Sequence, residues 1–304
     1  MASFVMLKMA KENEKECPRA ATVLERDRYT NEEEQSREVN SDERNPRRAT
    51  SIVNLDGEEE SKTLGVTWNP KRDVIGFASK EIKVEKLTKR SVLSNISKLY
   101  DPLGLASAVT IKARIALQNI WKSKQFDWDD PLPEVMSDTW RKLFKEIESL
   151  KKVEFPRCLQ PKEVSGHSEL HVFADASKDA YGAVAYLVWT TPYGFHVSLV
   201  SAKARVAPLR HTTIPRLELM AALIASRLAR TIVEEFKLKP SSVTFWSDST
   251  IVLSWLRSES TSFKPFVGVR VAEIQESWTP SSWRHVPSEE NPADDLSRGI
   301  TVEE

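Results

Sequence analysis

From residue 169 onward the apolar positions keep one period, then switch to another, then switch back. The runs ELHVFADAS, YGAVAYLVW and FHVSLVSAKARV are rich in β-branched and aromatic residues and predict three successive strands. The Tyr181-Gly182 pair at the head of the second run fits a tight connection between the first two strands. TTIPRLELMAALIASRLARTIVEEF then follows helical spacing, with Thr213 as a candidate cap and Pro215 in its first turn. Its small stripe, Ala222, Ala225 and Ala229, allows close approach to a sheet, and the adjacent stripe, Leu217, Ala221, Ile224 and Leu228, anchors it. SVTFWSD predicts a fourth strand, and Ser249 is placed to cap the helix STIVLSWLRS. SFKPFVGVRVAEIQES contains a further helix, SWRHVP a fifth strand and NPADDLSRG a last helix. Three strands followed by alternating helices and strands describe an α/β domain over residues 161–304 with a mixed five-stranded sheet. No internal repeat is present.

Upstream the grammar differs. Short strands are expected at TLGVTW (63–68) and VIGFAS (74–79), and residues 88–121 read as helices broken by YDPLGL at 100–105. A further amphipathic helix carries the stripe Trp140, Leu143, Phe144, Ile147 and Leu150. Pro156 and Pro161 bracket a boundary near residue 160, so 63–160 forms a mostly helical unit of its own. Residues 1–62 are crowded with Glu, Arg, Asn and Asp and hold few large apolar side chains. Such a stretch cannot bury enough surface to offset its ordering entropy and is expected to be disordered or degenerate.

Composition changes this picture only by exclusion. The 44 basic and 44 acidic residues cancel, so a nucleic-acid partner would have to be held by local basic patches and not by a global field. Cys17 and Cys158 lie far apart and in no C-x-x-C pattern, which excludes a disulfide framework and a cysteine zinc site and suits a reducing compartment. The apolar run in MASFVMLKMAKENEKE is too short for a signal peptide, and no run approaches membrane-spanning length. The expectation is a soluble, intracellular, cytoplasmic protein that is not secreted.

The chemistry lies in four acids. Asp175 and Asp248 end strand-like runs, Glu218 lies in the long helix, and Asp294 opens the last one. Taken singly each has an ordinary reading: Asp175 and Asp248 as turn or cap residues, Glu218 as a partner of Arg216 or of an arginine from elsewhere, and Asp294 as a helix cap. An acid on a packed helical face is costly without a ligand or partner, which makes Glu218 the hardest to dismiss. Jointly, four acids on elements that a mixed sheet can bring together suit hard, oxygen-seeking cations such as Mg²⁺. Two such ions about 4 Å apart can generate a nucleophilic water and stabilise a leaving alkoxide. Trp246, alternating with Phe245, reads as a core residue, and His167, His171, His196 and His211 show no ligand spacing.

The phrases FADAS, TIPRLEL, WSDST and NPADDLSRG, with TLGVTWNP and LSNISKLYDPLGL upstream, resemble the ribonuclease H region of Pao/BEL-type LTR retrotransposon Pol polyproteins over residues 64–299. The resemblance implies a ribonuclease H-like fold, metal-binding acids at Asp175, Glu218, Asp248 and Asp294, two Mg²⁺ ions (Mn²⁺ substituting), and the RNA strand of an RNA–DNA hybrid as substrate, cut to leave a 3′-hydroxyl and a 5′-phosphate. Asp294 and Asp295 compete for the fourth role; the family-like A-D-x-x-S-R phrase favours Asp294. His285, six residues before Asn291, has a spacing similar to that of a histidine that aids proton transfer in some ribonucleases H, and also reads as a plain strand residue. Lys203, Arg205, Arg210, His211 and Arg216 gather before the Glu218 helix as a basic rim for hybrid phosphates or a solvated loop.

The resemblance casts 63–160 as a reverse transcriptase thumb and connection, with the rest of Pol, reverse transcriptase and integrase, as partners and no membrane. No Y-x-D-D occurs, so DNA synthesis is not expected. Regions of this type also carry the label of a Pao aspartic peptidase, but neither Asp-Thr-Gly nor Asp-Ser-Gly is present. The chain reads as a fragment of a longer polyprotein or a degenerate genomic copy, whose alternative role is a non-catalytic nucleic-acid-binding remnant.

Overall fold

The structure, a computed structural model, describes residues 61–63, 66–78, 82, 86–235 and 239–303. The charged segment 1–62 therefore lies outside the described residues, except for Ser61 and Lys62. These two open strand β1 (Ser61–Thr63), which pairs antiparallel with β2 (Val66–Asn69). Strand β3 (Val74–Phe77) pairs with β2 and with β4 (Glu154–Pro156), completing a small antiparallel sheet. Sequence reading missed β4, because three residues ending in proline carry no alternation to detect. Salt bridges Arg157–Asp73 and Arg72–Glu154 tie its ends to the β2–β3 turn.

Three helices lie between β3 and β4. Helix α1 (Lys89–Ile96) is closed by a Thr88–Ser91 capping box. Helix α2 (Ser107–Ser123) follows, and then α3 (Glu134–Ser149), which buries Trp140, Phe144 and Ile147 against Val92, Ile120 and Leu132. The YDPLGL break between α1 and α2 is a docking turn. Asp101 accepts hydrogen bonds from the Leu105 and Ala106 amides, 2.9 Å each, at the start of α2. The Leu103 carbonyl accepts from the Ala202 amide (2.9 Å) and the Ser201 hydroxyl (2.6 Å). Gly104 has φ +73°, and a Cβ there would fall 1.8 Å from the Ala202 carbonyl oxygen, so only glycine fits.

The main sheet has the order β7-β6-β5-β8-β9. Its strands are β5 (Ser168–Ala176), β6 (Ala180–Thr191), β7 (Gly194–Val206), β8 (Ser242–Ser247) and β9 (Trp283–His285). β5 is central, antiparallel to β6 and parallel to β8, and β8 is parallel to β9. This is the mixed five-stranded sheet expected from the sequence. One face packs under α4 (Ile214–Glu235), whose Leu217, Ala221, Ala222, Ala225 and Ala229 are all buried, together with α5 (Thr250–Arg257) and α6 (Pro265–Ser277). The alanine stripe lets α4 lie close on Leu170, Val172 and Phe245. The other face is covered in part by α2, through Ile111, and by the short helix α7 (Asp294–Arg298), through Leu296. The Leu103 bond lies on the edge strand β7 and blunts that edge. No helix of the described residues is long and apolar enough to cross a membrane.

Candidate active site

Parallel pairing of β5 with β8 brings two of the four acids to one end of the sheet. Asp175 is the penultimate residue of β5 and is only 6% exposed; Asp248 directly follows β8. Helix α4 crosses beneath, and Glu218, in its second turn, is half-buried beside them. Asp294 is the first residue of α7.

Three of these carboxylates are each held by a serine. Ser297 of α7, fully buried, donates to Asp175 Oδ2. Ser249 donates to Glu218 Oε2 at 2.6 Å while its oxygen also caps α5 through the Val252 amide, the cap expected from the sequence. Ser288 donates to Asp248 Oδ2 at 2.7 Å. The other oxygen of Asp248, Oδ1, is buried with no hydrogen-bond partner among the described residues. Asp294 forms an ion pair with Arg298 one helical turn on, Nε to Oδ1 at 2.9 Å.

The acids share one electrostatic field. Burial pushes the Asp175 carboxyl above its ordinary range; the Ser297 bond opposes this, and the charges of Asp248 and Asp294 add to it. Glu218 is raised by burial first, opposed by Ser249, and raised further by Asp248 and Asp175. Burial raises the Tyr186 hydroxyl, and the charge of Asp295 raises it further. The charge of Asp294 acts on Asp175, and that of Asp295 on Tyr186.

An all-oxygen donor set with mutual repulsion and a buried, unpartnered carboxylate oxygen has the chemistry to hold a hard divalent cation. Among the described residues no three acidic, histidine or cysteine side chains are drawn together to ligating spacing. Each of the four carboxylates is instead engaged by its own serine or arginine partner. The upward shifts also set a sign for pH. Raised folded-state pKa values mean that the native state keeps protons that the unfolded chain has released, so this contribution is full below about pH 4 and is lost as pH rises through the folded values. In chelator, the full chain should lose more thermal stability between pH 4 and pH 7 than its Asp175→Asn/Glu218→Gln variant. Parallel melting curves would contradict the shared field.

Two supporting residues escaped sequence reading. Ser288 reaches Asp248 from the turn after β9. Asn291, 4% exposed, donates to the Ala174 carbonyl at 3.2 Å and accepts from the Ala293 amide, pinning the start of α7 to β5 beside Asp175. Their only sequence signal is the polar run SEENPADD, which also suits a solvated loop. His285 ends β9, exposed, in register with Ser247 and so beside Asp248. Lys203 and Arg205 are exposed on β7, Arg210 is exposed in the following loop, and Arg216 is exposed at the start of α4. Trp246 is half-buried, stacked on Phe173 and His171, with its Nε1 donating to His171 Nδ1 at 3.0 Å; it lies outside the main core expected for it.

The family of Pao retrotransposon-like RNaseH-like domains matches residues 88–249, more than half of the chain and including Asp175, Glu218 and Asp248. No curated protein matches. Similar solved structures include the RNase H1 of the halophilic archaeon Halobacterium salinarum NRC-1, at 18% identity, TM-score 0.28, over 42% of this chain and 93% of that one. LC11-RNase H1 in complex with an RNA/DNA hybrid is 19% identical, TM-score 0.30, over 42% and 92%. The foamy viral protease-reverse transcriptase in complex with an RNA/DNA hybrid is 12% identical, TM-score 0.44, over 79% of this chain and 30% of that one, so the chain spans less than a third of the viral protein.

Proposed function

Because the chain belongs to the family of Pao retrotransposon-like RNaseH-like domains, we propose that it hydrolyses the RNA strand of RNA–DNA hybrids at Asp175, Glu218, Asp248 and Asp294. The observation that carries this reading is the convergence of acids from two strand ends and a packed helix into one repelling group, with Asp248 Oδ1 buried and unpartnered. Asp294 is the fourth member, since its charge acts on Asp175 while that of Asp295 acts on Tyr186.

These four residues would hold two Mg²⁺ ions, with Mn²⁺ able to substitute. When bound, such ions supply a nucleophilic water and stabilise the leaving oxygen. The chain's own residues do the rest. Ser297, Ser249 and Ser288 each orient one carboxylate of the group. Arg298 neutralises Asp294 in the ion pair and limits repulsion within the group. His285, exposed beside Asp248, is placed to carry a proton to the leaving group or to ease product departure. Lys203, Arg205, Arg210 and Arg216 contact phosphates of the duplex without reading bases. Residues 63–160 serve as the connection between this domain and the remainder of the Pol polyprotein, within a cytoplasmic retroelement particle.

The test is direct. The full chain, incubated with end-labelled RNA annealed to DNA, should cut the RNA in Mg²⁺ or Mn²⁺, stop on chelation, and leave single-stranded RNA and duplex DNA intact. Binding of the hybrid without cleavage in either metal would defeat the proposal and leave a non-catalytic nucleic-acid-binding role.

A further inference from the structure

One aromatic ring beside the site carries two guanidinium groups. Phe266, in the first turn of α6, has the Arg270 guanidinium 3.8 Å from its ring centroid and that of Arg216 at 5.0 Å. Arg216 lies two residues before Glu218 on α4, so this pair sits at the end of the helix that carries a site acid. Among the described residues neither arginine forms an ion pair within 4 Å of an acid. Arg270 Nη1 donates to the Phe266 carbonyl at 2.7 Å, a contact that orients the group without cancelling its charge.

The acid that senses Arg270 is Glu273, and it is already occupied. Arg227 grips both of its oxygens, at 2.6 and 2.9 Å, and Arg230 lies near enough to act on it as well. Two further arginines, Arg230 and Arg270, thus lie around one carboxylate that Arg227 has neutralised. In a chain of zero net charge, this local surplus is the kind of patch an anionic partner requires. A guanidinium held over a ring keeps N–H groups beyond those already engaged, in the planar fork that matches a phosphate. Stacking also lowers the rotamer entropy lost when that fork engages.

We infer that Arg270 and Arg216, arranged on Phe266, form a phosphate clamp that grips the backbone of the nucleic-acid duplex next to the four-carboxylate site. Arg270 was not singled out in the sequence, because α6 carries it one turn beyond Phe266 on a segment far in the chain from the basic loop at 203–216. The inference rests on the hybrid-nuclease reading for the identity of the duplex, and its test separates the two.

Hybrid binding by the full chain is followed by fluorescence anisotropy in the Asp248→Asn background across a range of salt concentrations. Arg270→Gln should weaken binding about five- to tenfold near 0.1 M salt and lower the slope of log affinity against log salt by about 0.7–0.9, the loss of one phosphate contact. Arg270→Lys should restore the slope but not the full affinity. Phe266→Leu should weaken binding while leaving the slope intact, because both charges remain. With Asp248 present, Arg270→Gln should raise KM and leave kcat unchanged. Melting curves matching those of the parent chain confirm that the Arg270→Gln variant is folded. An unchanged salt slope in folded Arg270→Gln overturns the clamp, as does failure of the parent chain to bind hybrid. If the chain binds with the expected slope change but never cuts, the clamp stands and the nuclease proposal falls.

Discussion

Asp248→Asn should abolish hybrid cleavage and at the same time make the protein more stable. Asp248 has one oxygen held by Ser288 and the other buried without a partner, and its charge raises the carboxyls of both Asp175 and Glu218. The isosteric amide keeps the Ser288 bond through its oxygen. Its NH₂ then occupies the unpartnered position, and the charge that raises the Asp175 and Glu218 carboxyls is removed. One negative charge leaves a repelling group that is partly reached by solvent, so the gain is about 0.5–1 kcal/mol, or a rise of roughly 1–4 °C in Tm. Activity moves the other way. An amide cannot supply the charge needed to hold a divalent cation, and a loss of at least about a hundredfold, some 2.7 kcal/mol of barrier, is expected. Single-turnover cleavage and thermal melts of the same preparation test both halves. A variant that cuts like the parent removes Asp248 from the mechanism; a variant that loses stability removes the repulsion argument. Opposite movements are the mark of a site whose acids are kept together at a cost in stability.

Gly182→Val should damage both fold and site. Gly182 pairs with Asp175 across β5 and β6, and a Cβ there would meet the Lys203 carbonyl at 2.7 Å and Leu296 Cβ at 3.0 Å. The first of these is backbone and cannot turn away. A valine must therefore push β7 aside or lift α7 from the sheet, at about 2–3 kcal/mol. Lifting α7 carries off Ser297, which holds Asp175, and Asp294 with it. Urea denaturation should show the loss of stability, and cleavage should fall further than the unfolded fraction explains. A variant within about 0.5 kcal/mol of the parent would mean that the close approach of α7 is not required. The Tyr181-Gly182 pair, read from the sequence as part of a tight connection, is thereby reinterpreted. The turn is made by residues 177–179, where Ser177 accepts from the Asp179 and Ala180 amides, and Gly182 serves packing within β6.

Much of the fold was legible because its elements are long and one-sided. The nine residues of β5 and the twenty-two of α4 repeat their apolar pattern often enough to declare their period. Ser249 was legible as a cap because capping is local chemistry. Strand β4 was not, at three residues. Nor was the seating of α2: Ile111 and Ile120 are apolar residues of one helix, yet Ile111 joins the sheet cluster and Ile120 the cluster around Trp140. Hydrophobicity states that a side chain will be buried and is silent about its neighbours.

What the sequence determined by itself is the set of acids, the elements that carry them, and the chemistry those residue types permit, because residue identity and local period are properties of short stretches of chain. What only the tertiary structure decided is which groups meet. Asp294 acts on Asp175 while its neighbour Asp295 acts on Tyr186, since successive residues of a helix point about 100° apart and the packing of α7 selects between them. Ser288 reaches Asp248 from forty residues away, and Arg270 meets Arg216 on the ring of Phe266. Distances in space between segments far apart in the chain are set by how the core packs, and no local pattern encodes them.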